Sequence, residues 1–189
     1  MNRNFWRGDK VQLRALEAED FEAAQAGTEP WDTEAQRYED SIYFPFSRTQ
    51  HRTLLEQLAS RDAKGDTFFW VICDLHGKRV GNINTFDCDS RVGAFKYAVV
   101  IAHEYRRRGY AREAINIVLR YYFHELRYQK ATVIVYAFNK RSQRLHESLG
   151  FTLEGRLRRM VYTNAQHYDE LYFGLTREEF GERAPLLEL

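Results

Sequence analysis

The chain has 189 residues, enough for one well-cored domain and short for two, so a single domain spanning 1–189 is expected. Its 28 Lys and Arg against 27 Asp and Glu leave a formal net charge of +1; no global field draws it to DNA or RNA, and any basic function must be local. Hydrophobic residues at 44%, charged ones at 29% and only 3 prolines describe a globular fold without a Pro-rich linker.

The N-terminal MNRNFWRGDKVQL lacks the apolar core of a signal peptide, which makes the cytoplasm the default expectation. Val11 and Leu13 alternate with polar neighbours, as in a first strand with one buried face. Glu19 and Asp20 favour a helix start that runs to about Ala26. The aromatic and acidic TEPWDTEAQRYEDSIYFPFS that follows has no clean period, and Leu54, Leu55 and Leu58 then mark a short amphipathic helix over Thr49 to Ser60. TFFWVICDL, KRVGNINTF and VGAFKYAVVIA, separated by turn signals, predict three consecutive antiparallel strands.

From Gly109 the period changes, and Ala114, Ile117, Val118, Tyr121, Tyr122 and Leu126 place an apolar stripe on one face of a long helix. KATVIVYAF then reads as a central strand buried on both faces. This strand, helix, strand unit predicts a right-handed crossover between parallel neighbours. Asn139 to Leu149 predicts a further helix closed at Gly150, and FTLEGRLRRMVY and HYDELYFGL predict two last strands. The longest apolar runs, FFWVIC and YAVVIA, reach about a third of the ~18 residues that a membrane span needs, so no membrane partner is expected. Cys73 and Cys88 without a secretion signal are read as reduced thiols, and no metal site is expected.

The stretch that carries chemistry is EYRRRGYAREA, residues 104–114, where a strand gives way to a helix. A helix N-terminus there presents unpaired amides and a partial positive charge, for which an anion is the natural occupant. Gly109 permits a tight turn and Ala111 is small, so the amides from Arg106 to Ala111 can form a nest around a pyrophosphate.

With Arg106, Gly109 and Ala111 in place, RRRGYA resembles the R/Q-x-x-G-x-G/A signature of the GNAT acetyltransferase superfamily. NKRSQRLHESLGF, from Asn139, is similar to the second motif of that family, at the expected distance. VVIAHEYRRRGYA and LGFTLEGRL are most similar to the spermidine and ribosomal-protein N-acetyltransferases, and the resemblance covers residues 95–175. It implies an α/β fold with a mixed, mostly antiparallel sheet, a splayed parallel central pair and helices on both faces. It also implies acetyl-CoA as co-substrate and an amine as acceptor, and is compatible with a homodimer.

What the resemblance implies for individual residues follows its two motifs. The pantetheine arm would lie along the strand end at Val99, Val100 and Ile101, where an amide polarises the acetyl carbonyl. Arg106, Arg107, Arg108, Gly109, Tyr110, Ala111 and Arg112 would hold the pyrophosphate. Asn139 would bind a pantetheine amide or cap its helix, Ser142 has the same two readings, and Arg144 either reaches the ribose phosphate or forms a solvated face. His146 stands where relatives carry a Tyr that protonates the departing thiolate; it is either that acid or a packing histidine.

No covalent enzyme intermediate is required, because a neutral amine can attack the thioester directly when both substrates share one site. Glu29, Asp32, Glu34, Glu39 and Asp40 would suit a polyamine or another cationic amine, or form a solvated acidic loop. Trp31, Tyr38, Tyr43, Phe44 and Phe46 line an acceptor pocket or anchor that loop. A protein N-terminus is the alternative acceptor, and a non-catalytic acyl-CoA-binding module the alternative to an enzyme.

Overall fold

A computed structural model describes residues 4–17, 20, 36–38, 42, 47–60 and 65–183. Apart from Asp20, the helix expected from Glu19 to Ala26 lies outside the described residues. So do Glu29, Trp31, Asp32, Glu34, Glu39, Asp40, Tyr43, Phe44 and Phe46.

The strands are β1 (Val11–Arg14), β2 (Phe69–Asp74), β3 (Arg79–Asp89), β4 (Ala94–Ile101), β5 (Lys130–Tyr136), β6 (Thr152–Thr163) and β7 (Gln166–Thr176). The helices are α1 (Arg48–Ala59), α2 (Tyr110–Arg120), α3 (Lys140–Ser148) and α4 (Arg177–Arg183). The strands form one sheet in the order β1-β2-β3-β4-β5-β7-β6. β1–β2, β2–β3, β5–β7 and β6–β7 are antiparallel, while β4–β5 is parallel. This is the mixed, mostly antiparallel sheet with a parallel central pair that the family resemblance implies.

The chain divides into two compact units, Met1–Asn84 with Ala98–Ile117 and Thr85–Tyr97 with Val118–Leu189. In the first, Leu16, Leu55, Val71 and Cys73 form a buried cluster against which Leu58, Ala59 and Phe69 pack. The α1 stripe predicted from its leucines supplies Leu55 to this core. Ser47 and Gln50 close the helix start by a reciprocal capping box. Arg14 grips the buried Asp20 through two hydrogen bonds of 2.6 and 2.7 Å.

In the second unit the Phe95 ring stacks on Tyr122 at 3.9 Å, with Tyr128 edge-on to both. Full burial of each such ring stabilises by about 2–3 kcal/mol. The long helix predicted after Gly109 ends at Arg120 and continues as a π-helical turn, Tyr121–Glu125, in which the Leu126 amide bonds the Tyr121 carbonyl. The wider turn lets the consecutive Tyr122 and Phe123 both face inward, and Tyr122 bonds the buried Thr85 hydroxyl at 2.6 Å.

Two further features differ from the sequence reading. β5 buries Ala131, Val133 and Val135, but its opposite face is only half covered, because β-branched residues suit a half-buried pleat as well as a fully buried one. The unpredicted α4 follows β7, opened by a capping box between Thr176 and Glu179, and sets Phe180 against Phe123. TREE carried that capping spacing in plain sight. No helix among the described residues is long and apolar enough to cross a membrane.

Candidate active site

β4 leads out of its sheet into the predicted turn. Val99, Val100 and Ile101 are half-buried, a short 3-10 turn covers His103–Tyr105, and α2 begins at Tyr110. Between them the backbone takes positive φ twice, at Arg107 (66°) and Gly109 (87°). That alternation turns successive amides towards one side, the geometry of an anion nest. Among the described residues, none of the amides of Arg107, Arg108, Gly109, Tyr110 and Ala111 makes a hydrogen bond of normal geometry. A pyrophosphate needs such a row of unengaged donors at a helix start.

The arginines contribute unequally. Arg106 turns back on the strand, its Nε donating to the Ile101 carbonyl at 3.1 Å, so it braces the turn. Arg108 donates to the Glu104 carbonyl at 3.2 Å and lies over the Tyr105 ring, whereas Arg107 is exposed.

Two positions absent from the sequence reading shape this segment. A side chain at Gly81 of β3 would collide with the Val100 carbonyl and with Ile101, so the missing Cβ lets β3 lie close beneath that strand end. In the first turn of α2, the Glu113 carboxylate accepts from the amides of Asp9, Lys10 and Val11 at 2.9, 2.7 and 2.6 Å. No sequence signal relates residues more than a hundred positions apart.

The remaining predicted residues lie on or beside α3. Asn139 caps it, its Oδ1 accepting the Ser142 amide at 3.1 Å, while its Nδ2 donates to no described residue. The cap therefore engages Oδ1 and leaves the Nδ2 donors for another partner. Arg144 is exposed. The Ser142 hydroxyl lies 3.3 Å from Nδ1 of His146.

His146 is 1% exposed, among Tyr97, Phe151 and Phe173. Its Nδ1 lies 2.8 Å from the Ser142 carbonyl, which can only accept, so Nδ1 carries the proton and Nε2 the lone pair. Burial lowers its pKa to about 4, the carbonyl contact offsetting only part of the desolvation. Among the described residues, neither Nε2 nor the hydroxyl of Tyr97 has a hydrogen-bond partner.

The parallel ladder of β4 with β5 runs from Ala94–Lys130 to Lys96–Thr132, although the strands continue to Ile101 and Tyr136. Residues 10–152 match the family model described as an acetyltransferase (GNAT) domain.

The chain belongs to the GNAT acetyltransferase family.

Its relatives fit that membership. It is 40% identical over 176 residues to the SPbeta prophage-derived uncharacterized N-acetyltransferase YokL of Bacillus subtilis, which spans 93% of this chain and 95% of that protein. It is 24% identical over 112 residues to the spermidine N(1)-acetyltransferase of Escherichia coli K12, covering 59% of each. The solved spermidine N-acetyltransferase of Vibrio cholerae, in complex with CoA and spermine, superposes with a TM-score of 0.77 at 22% identity over 92% of this chain and 99% of that one. The GNAT chain described here is thus an N-acetyltransferase in fold and family, and an acyltransferase as an enzyme.

Proposed function

We propose that this GNAT enzyme transfers an acetyl group from acetyl-CoA to a primary amine, by direct attack within a ternary complex. The observation that carries the donor is the turn before α2, where positive φ at Arg107 and Gly109 accompanies unengaged amides from Arg107 to Ala111. These amides take the pyrophosphate of the donor, with Tyr110 and Arg112 in the first turn of α2 alongside. Val99, Val100 and Ile101 line the pantetheine, Asn139 Nδ2 bonds one of its amides, and Ser142 and Arg144 lie on the same helix start. Acetyl-CoA supplies the activated acyl group. The protein's part is to orient it and to stabilise the developing oxyanion through an amide of Val100 or Ile101.

The nitrogen–carbonyl bond forms as the carbon–sulfur bond breaks, the amine releasing one proton and the thiolate taking up one. The surroundings of His146 favour the packing reading over the acid, because the neutral ring keeps its proton on Nδ1 against a carbonyl and offers only a lone pair at Nε2. Thiolate protonation from solvent accounts for the reaction without it.

For the acceptor we favour a polyamine or another small cationic amine. The support is the sequence relationship to spermidine N(1)-acetyltransferases and the acidic positions Glu29, Asp32, Glu34, Glu39 and Asp40. A screen of polyamines, other amines and short peptides, reading free CoA against a control without acceptor, tests this. Turnover confined to peptide N-termini would replace the acceptor, and absence of acetyl-CoA binding in calorimetry would overturn the donor.

A further inference from the structure

The ammonium of Lys10 lies beside the turn that carries the unengaged amides. Its Nζ is 3.5 Å from the Arg108 carbonyl, and Nζ, Cδ and Cε lie 3.0, 3.6 and 3.8 Å from where a Cβ on Gly109 would stand. The lysine stem therefore occupies the space that the missing side chain leaves open. Among the described residues this is the one hydrogen bond of the ammonium, at the outer limit of such bonds, and a three-donor group has capacity for more.

This placement is held from the backbone. Glu113 accepts the amides of Asp9, Lys10 and Val11, and Gly8 packs against the same carboxylate so closely that any side chain there would collide with it. Three amides on one carboxylate fix residues 8–11 to the first turn of α2 and disperse the Glu113 charge away from the turn. A lysine on a free loop pays the full entropy of ordering when it meets an anion; one whose own amide is anchored pays less.

We propose that Lys10 is a further phosphate-binding residue of the donor site, contacting the diphosphate of the acetyl-CoA, and that Glu113 is the positioning residue that presents it. This rests on the donor-site reading given above. Lys10 supplies the mobile charge, whereas the amides of the turn supply fixed dipoles.

Calorimetry with CoA and with 3′-dephospho-CoA tests it, on wild type, Lys10→Ala, Lys10→Arg and Glu113→Gln, each checked for folding by circular dichroism. Lys10→Ala should weaken both ligands by about 10-fold, the size of one charge-assisted hydrogen bond, and flatten the salt dependence of binding. Lys10→Arg should recover most of the loss, and Glu113→Gln should raise KM for acetyl-CoA more than it lowers kcat.

Unchanged affinity in Lys10→Ala overturns the inference while the donor site stands. A loss seen with CoA and not with 3′-dephospho-CoA overturns the assignment to the diphosphate, and a loss that Lys10→Arg does not relieve overturns the charge role. Failure of wild type to bind CoA at all overturns the donor reading itself.

Discussion

His146 donates its Nδ1 proton to the carbonyl of Ser142, four residues earlier on the same helix, at 2.8 Å. That bond sets the tautomer of a fully buried ring, with the proton on Nδ1 and the lone pair on Nε2. His146→Phe should keep turnover within about tenfold of wild type, short of the ~100-fold lower bound for losing a general acid. Steady-state kinetics at saturating acetyl-CoA measures this; a loss of a hundredfold or more would restore His146 as the acid.

The same burial has a consequence for acid stability. With a pKa of about 4 in the folded protein against an ordinary 6.5, the unfolded chain binds the proton more readily. The contribution of neutral His146 is therefore complete above pH 6.5 and is lost as pH falls from 6.5 to about 4. The shift corresponds to about 3 kcal/mol. His51 and His124 are lowered in the same direction by burial, so His146→Phe should retain a slope from them. Tm measured against pH should fall less steeply over this window in His146→Phe.

Tyr97, 2% exposed, has no hydrogen-bond partner for its hydroxyl among the described residues, and burial holds its pKa well above the usual tyrosine value. Tyr122, by contrast, meets Thr85. Tyr97→Phe removes an unsatisfied polar atom and should leave stability unchanged or raise it by about 1 kcal/mol, whereas Tyr122→Phe removes a buried hydrogen bond to Thr85 and should cost about 1 kcal/mol. Urea denaturation of the two variants makes the comparison.

Gly81 meets the backbone of Val100, so the neighbour cannot rotate away as a side chain would. Gly81→Val should cost about 1–3 kcal/mol through overpacking and, by moving the strand end, should lower kcat more than the loss of folded protein explains. Denaturation curves and kcat on the same preparation separate the two effects; full kcat in folded Gly81→Val would show that the Val100 strand end does not need this close approach.

Gly109 adopts φ +87° with the Lys10 stem over it. Gly109→Ala places a Cβ in a left-handed conformation at a cost of about 1–2 kcal/mol and displaces the lysine. Affinity for CoA should fall by at least tenfold in calorimetry while Tm drops by only a few degrees, since the turn is exposed and its strain local.

The local pattern of this chain determined much by itself. Alternation around Val11, the β-branched run KATVIVY, the apolar stripe from Ala114 and the Asn139 cap each depend on neighbours within a few residues. Strand, crossover and helix were legible for that reason, and so was the turn at Gly109. The π-helical turn after Arg120 was not, since a helix stripe reads the same until Tyr122 and Phe123 must both find a core. Only the tertiary structure decided what crosses long stretches of chain: β7 between β5 and β6, Glu113 on the amides of residues 9 to 11, and Gly81 against Val100. It likewise decided the burial of His146 and the carbonyl that meets its Nδ1. Type and position along the chain allow either an acid or a packing ring; desolvation and the Ser142 carbonyl within reach are properties of the packed interior.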